Sequence, residues 1–104
     1  MKPMIHSPTL INEEATSWGP RFGDNEDLYQ LWCDCVDDVC LHDHVALRLP
    51  DKQVLWVEIA LRSTDYWIGV AKTSTPLGWI RDGDLIRFHR INVYAVSKVQ
   101  AEVV

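Results

Sequence analysis

The chain has 104 residues, 47% of them hydrophobic and 24% charged, which is one domain's worth of foldable sequence with no length for a second core. No apolar run approaches the roughly 18 residues of a membrane span, and the opening Met1-Lys2-Pro3-Met4-Ile5-His6 lacks the apolar block of a signal peptide, so a soluble, cytoplasmic protein is expected. A net charge of −5, from 15 acids and 10 bases, opposes binding to phosphate backbones, whose affinity comes from Lys and Arg displacing counterions, so neither nucleic acid nor membrane is an expected partner.

The charge is uneven. Residues 1–47 carry nine acids and two bases, residues 48–104 six acids and eight bases. No base lies between Arg21 and Arg48, whereas Asp24, Glu26, Asp27, Asp34, Asp37, Asp38 and Asp43 all do. A field of that sign attracts a basic partner.

Residues 1–23, with Pro3, Pro8, Gly19 and Pro20 and no sustained period, read as an irregular arm that docks through Ile5, Leu10, Ile11, Trp18 and Phe22. Residues 24–104 form a single α+β domain. Leu28, Leu31, Trp32, Cys35, Val39 and Cys40 recur at helical spacing, so an amphipathic helix is expected from Asp24 to Cys40. Asp24 or Asn25 suits its N-cap, and Glu26 and Asp27 fall in the first turn, where the helix dipole favours negative charge. Asp34, Asp37 and Asp38 are placed away from the apolar stripe.

The period then drops to two. Val45, Leu47 and Leu49 alternate with His44, Ala46 and Arg48, and Pro50-Asp51-Lys52-Gln53 makes a turn. A strand from Val54 to Arg62 follows, with Leu55, Val57, Ile59 and Leu61 on one face and Trp56, Glu58 and Arg62 on the other; it should pair with the first as a hairpin. A third strand runs from Tyr66 to Lys72, with Gly69 marking a bulge or a close approach. Thr73 to Gly78 is a loop containing Pro76, Trp79-Ile80 reads as a short strand, and Asp82-Gly83 as a tight hairpin turn. Leu85 to Ile91 and a tail from Asn92 to Val99 supply the last strands. The expected fold is one amphipathic helix packed beside a curved antiparallel sheet of about four to six strands.

Val45-Ala46-Leu47-Arg48-Leu49-Pro50, Leu55-Trp56-Val57-Glu58-Ile59, Ile68-Gly69-Val70 and Asp82-Gly83-Asp84-Leu85-Ile86-Arg87-Phe88 together resemble an uncharacterised family of small bacterial domains, often called YegJ-like. The resemblance covers residues 44–96, about half of the chain. It implies a helix followed by a meander of strands and brings with it no catalytic residues. Look-alikes of such domains include immunity proteins encoded beside bacterial toxins, so the resemblance implies a toxin as one kind of partner.

Cys33, Cys35, Cys40, His42 and His44 lie within 12 residues, a density that raises a zinc site. The C-x-C-x₄-C-x-H-x-H spacing matches no common knuckle, and on a helix Cys33 and Cys35 diverge by about 200°. Cys35 and Cys40 are therefore expected in the core as small hydrophobes, with no metal and no other cofactor. Trp56, Trp67 and Trp79 with Tyr66, Phe88 and Tyr94, interleaved with Arg81, Arg87, His89 and Arg90, read as strand packing with a solvated face rather than a base-stacking platform. No nucleophile elbow, metalloprotease motif, phosphate loop or dinucleotide fingerprint occurs. A dispersed site built on Cys33, His42 or His89 stays open.

The expectation is a non-enzymatic module whose helix presents Glu26, Asp27, Asp34, Asp37 and Asp38 to a basic protein partner, with Trp56 as an apolar anchor. The alternative is a small ligand-binding or hydrolytic domain whose pocket is lined by Trp56, Trp67 and Trp79.

Overall fold

The computed structural model describes residues 5–13, 15–16, 19–20, 25–75 and 78–98. In chain order these form β1 (Ile5–His6), β2 (Ala15–Thr16), β3 (Gly19–Pro20), α1 (Glu26–Asp37), β4 (His44–Arg48), β5 (Val54–Arg62), β6 (Trp67–Ala71), β7 (Leu85–Phe88), a 3₁₀ turn at Arg90–Asn92 and β8 (Val93–Ser97). The fold is α+β: one helix lies on a six-stranded open sheet of order β1-β7-β6-β5-β4-β8. β2 and β3 pair only with each other. Trp18, Phe22, Asp24 and Pro76, to which the sequence assigned docking, capping and loop roles, lie outside the described residues.

The middle of the sheet is the meander expected from the alternation of apolar residues. β4 pairs antiparallel with β5 from His44↔Glu58 to Arg48↔Val54, and β5 with β6 from Val57↔Ala71 to Arg62↔Trp67. The sheet is mixed rather than wholly antiparallel, because β1 runs parallel to β7 with Ile5 opposite Leu85. Strands so far apart in sequence are not bound to the antiparallel sense that a short hairpin imposes. The arm thus joins the sheet at Ile5–His6, but Ile5 is 61% exposed and does not dock as expected. Leu10 packs against the core, while Ile11 N–H donates to the Arg48 carbonyl at 2.9 Å and Asn92 Nδ2 to the Ile11 carbonyl at 3.2 Å. Glu13, fully buried, accepts from Arg48 Nε and Nη2 at 2.7 Å each, and the guanidinium lies 4.4 Å above the Tyr94 ring.

The core fills the space between α1 and one sheet face. Val45 and Leu47 of β4, Leu55, Val57 and Ile59 of β5, Trp67 and Ala71 of β6, and Ile86 and Phe88 of β7 point into it, together with Trp32 and Val36 of the helix. Each large side chain among them contributes about 1.5–3 kcal/mol by leaving water. Gly69 faces the same side. A Cβ there would stand 2.7 Å from Val57 Cγ2, so its absence lets β5 and β6 close together.

Three local expectations are corrected. A register shift between Ile59 and Leu61 turns Leu61 out of the core face, where it is 44% exposed. Trp79-Ile80 is not a strand: Ile80 is fully buried through bonds between its backbone and Thr75, whereas Trp79 is 47% exposed. Gly83, at φ 95°, closes a turn from the Arg81 carbonyl to the Asp84 N–H, but the turn sits inside the long β6–β7 connection rather than directly joining two strands.

The helix is shorter than its apolar period suggested, spanning Glu26–Asp37, with Asn25 Oδ1 accepting from Leu28 N–H at 3.0 Å as its cap. Its last turn contains no base. The sheet supplies cations there instead: Arg62 Nη1 donates to the Asp37 and Val39 carbonyls, and Lys98 Nζ to the Asp38 carbonyl. Because the helix ends at Asp37, Cys40 lies beyond it and is exposed, and Cys35 is exposed on the helix flank. The expectation that both thiols join the core is therefore wrong. Cys33, half-buried, is the thiol that packs against it.

Candidate functional site

The five helix acids divide into two groups. Asp37 accepts from Arg90 Nη2 at 2.8 Å, and Asp38 lies 3.4 Å from Lys98 Nζ, which also reaches the buried Asp43 at 2.7 Å. The bond it donates to Asp43 raises the Lys98 pKa and keeps the cation in place. Among the described residues no cation pairs with Glu26, Asp27 or Asp34. Asp34 accepts from the Gln30 side-chain amide at 2.8 Å. Glu26 and Asp27 lie in the first turn, where the helix dipole favours negative charge.

Several cations of the basic half are engaged elsewhere than at these three acids. Arg48 is held by Glu13, Arg62 by the helix carbonyls, Arg90 by Asp37, and Lys72 lies 3.6 Å from Glu58. Arg48, Arg62, Arg87 and Arg90 also stack over Tyr94, Trp67, Tyr66 and Trp32 at 4.3–5.4 Å.

Beside Asp27 and Asp34 lies an apolar surface that the sequence placed in the core. Leu28 is 49% and Leu31 59% exposed, and with Cys35 they form one wall of a groove of about 250 Å³ whose other wall is Val93, Tyr94, Ala95 and Val96 of β8. Trp32 and Val36 make its floor. By the 100° step of a helix, Leu31 lies between the Leu28–Cys35 wall and the outer row of Asp27, Asp34 and Asp38. The signal for this surface is the breadth of the apolar arc. From Leu31 to Tyr29 it spans about 160°, more than the roughly 100° stripe that packing needs.

Trp56 is not part of this surface. Leu55, Val57 and Ile59 face the helix, so Trp56, half-buried, points to the opposite sheet face with Glu58. Nor do the three tryptophans of the alternative reading meet: Trp67 is in the core against Phe88, and Trp79 lines a hollow with Pro8, Leu49 and Pro50.

On that opposite face Glu58 gathers His42 at 3.2 Å, His44 at 3.6 Å and Lys72 at 3.6 Å. The hydrogen bond from His42, and then the Lys72 charge, hold its carboxyl below the ordinary value. Among the described residues no three His, Cys, Asp or Glu side chains are placed to hold a metal ion. His89 Nδ1 bonds the Asp65 carbonyl at 2.8 Å and Cys33 packs at the edge of the core, whereas His42, of the three residues considered for a dispersed site, lies against a carboxylate, Glu58. No helix among the described residues is long and apolar enough to cross a membrane.

The chain matches no family model, no curated protein and no solved structure.

Proposed function

We propose that the chain is a non-enzymatic binding module for a basic protein, engaged through α1 and the groove beside it. The observation that carries this reading is the adjacency of the exposed Leu28, Leu31 and Cys35 to Asp27 and Asp34, to which the described residues bring no cation. An apolar centre holds a partner while a rim of one sign steers it, and the two lie on one helix here. The YegJ-like motif residues make a toxin, held inactive by this chain inside the cell, the partner to look for first.

The experiment is capture of the partner from the native host, followed by association kinetics against salt. The association rate should fall steeply as salt rises, since exposed charges are screened beyond about 8 Å at physiological ionic strength. Reversing Glu26, Asp27 and Asp34 to Lys should slow association, at a cost in stability of about 0.3–1 kcal/mol for each of the two first-turn positions, since the described residues give none of the three a pairing cation to lose. A partner whose association rate ignores both salt and the triple reversal would overturn the reading.

A further inference from the structure

The helix covers one face of the sheet, and the cross-strand register shows what the other face carries. Residues directly opposite each other on neighbouring strands turn their side chains to the same side. Glu58 points away from α1, so Val70 opposite it does too, followed by Leu85 on β7 and Ile5 on β1. The register shift after Ile59 adds Leu61 and its neighbour Ile68. An apolar band thus crosses four strands, with Trp56 and Val54 of β5 beside it. Ile5, Val54 and Leu61 are exposed on it, and the others are half-buried. A sheet face of this composition is ordinarily covered by a second layer, and among the described residues no helix lies on it.

We propose that a second copy of this chain covers that face, the two sheets packing face to face about a two-fold axis along β6. This goes beyond the binding-module reading, whose basic partner engages the α1 side. Charge selects the occupant. The chain carries −5 overall, yet Glu58 is the only acid in the strands of the six-stranded sheet, and His42, His44 and Lys72 surround it. Two copies therefore meet with least repulsion here. Charge also selects the axis. An axis across the strands would lay β5 on β5 and leave Arg87 two strands away from the second copy's Glu58. An axis along β6 instead lays β7 of each copy on β5 of the other. Arg87, which stacks 4.3 Å from the Tyr66 ring and meets no carboxylate among the described residues, then comes beside the second copy's Glu58. Ile68 and Val70 meet their own counterparts, as residues on a two-fold axis must. Four strands about 4.8 Å apart, by the nine residues of β5 at about 3.4 Å each, give a face of at most about 19 by 30 Å. That is smaller than the roughly 800 Å² per partner of a standard interface, so the dimer is reversible, with a Kd on the order of tens of micromolar.

The test is sedimentation equilibrium of the full chain from about 1 μM to about 1 mM, with isotope-filtered NOE spectra of mixed labelled and unlabelled protein at the upper end. The expected result is a reversible monomer–dimer equilibrium in which the methyl groups of Ile68 and Val70 show cross-peaks to the other copy. Ile5→Ser combined with Leu61→Ser, both at exposed positions, should weaken the dimer at least about tenfold without altering the circular dichroism. Arg87→Glu should weaken it about threefold or more. A chain that stays monomeric to about 1 mM, a dimer indifferent to the Ile5 and Leu61 substitutions, or cross-peaks confined to α1 and its groove overturns the proposal. So does self-association that is lost on reversing Glu26, Asp27 and Asp34 to Lys, which would be a head-to-tail contact of α1 with this face. The salt dependence of the captured basic partner enters none of these outcomes, so the two readings fail separately.

Discussion

The indole of Trp32 donates its N–H to the main-chain carbonyl of Val93 at 3.0 Å, joining the middle of the helix to the first residue of a strand 61 positions later. Trp32 is 8% exposed and Val93 fully buried. This bond is directional where the packing around it is not, and it fixes α1 over the edge of the sheet rather than over its centre. The open groove is a consequence of that placement.

Trp32→Phe keeps an aromatic ring in the core and removes the donor. The Val93 carbonyl then loses a buried bond, at a cost of about 1–3 kcal/mol. Urea denaturation should show the loss, and amides of β8 should exchange faster than in the wild type. Unchanged exchange in β8 would mean that packing alone positions the helix.

Glu13→Ala should cost about 3 kcal/mol, because it leaves the Arg48 guanidinium without the carboxylate that two 2.7 Å bonds bring to it. The arm should also become sensitive to proteases, since Glu13 is its deepest charged attachment. A stable, protease-resistant variant would show that the backbone bonds of Ile11 and Glu13 suffice to hold it.

Two glycines should fail for different reasons. Gly69→Ala drives a methyl to within 2.7 Å of Val57 Cγ2 and should cost about 1–3 kcal/mol by overpacking, a part of which Val57→Ala restores. Gly83 has open space around its Cα but sits at φ 95°. Gly83→Val should therefore cost about 1–2 kcal/mol through backbone strain, and Gly83→Asn less, since Asn tolerates positive φ. Thermal melts of the four variants separate the two causes.

Glu58 gives the fold a pH dependence at the acid end. Its folded pKa lies below the unfolded one, first through the bond from His42, so its contribution is complete above the ordinary carboxylate range and is lost as pH falls through the folded value. The gap in urea midpoint between wild type and Glu58→Gln should be open near neutrality and close in strong acid. A gap of constant size would assign the difference to packing of the side chain rather than to its charge.

The central strands were legible because alternation is a local property. The expected bounds of β5, Val54 and Arg62, are those observed, and Asn25 was one of two residues marked as a cap. What the sequence could not convey were relations between distant elements. Helical period marked Leu28 and Leu31 as apolar, but whether a strand lies beneath them depends on where β8 ends the sheet. Likewise Asp34 and Asp37 look equivalent along the chain. Only the arrival of Arg90, 53 residues further on, neutralises one of them. Leu61 was misplaced because a bulge resets the alternation, and β1 was missed because two residues carry no period.

The strand order also sets a sequence of events in folding. β4 to β7 are consecutive in the chain and adjacent in the sheet, so each pairs with its neighbour in sequence, across short loops for β4–β5 and β5–β6 and a longer one for β6–β7, but both outer strands come from further away: β8 returns to β4, and β1 meets β7 across nearly the whole chain. Closing long loops is slow because their entropy is spent before any contact repays it. A collapsed intermediate would then expose the hydrogen-bonding edges of β4 and β7 together, in a form prone to pair with other nascent chains. Arrival of β8 removes one of those edges, and the bond from Trp32 to the Val93 carbonyl then occupies part of the new one.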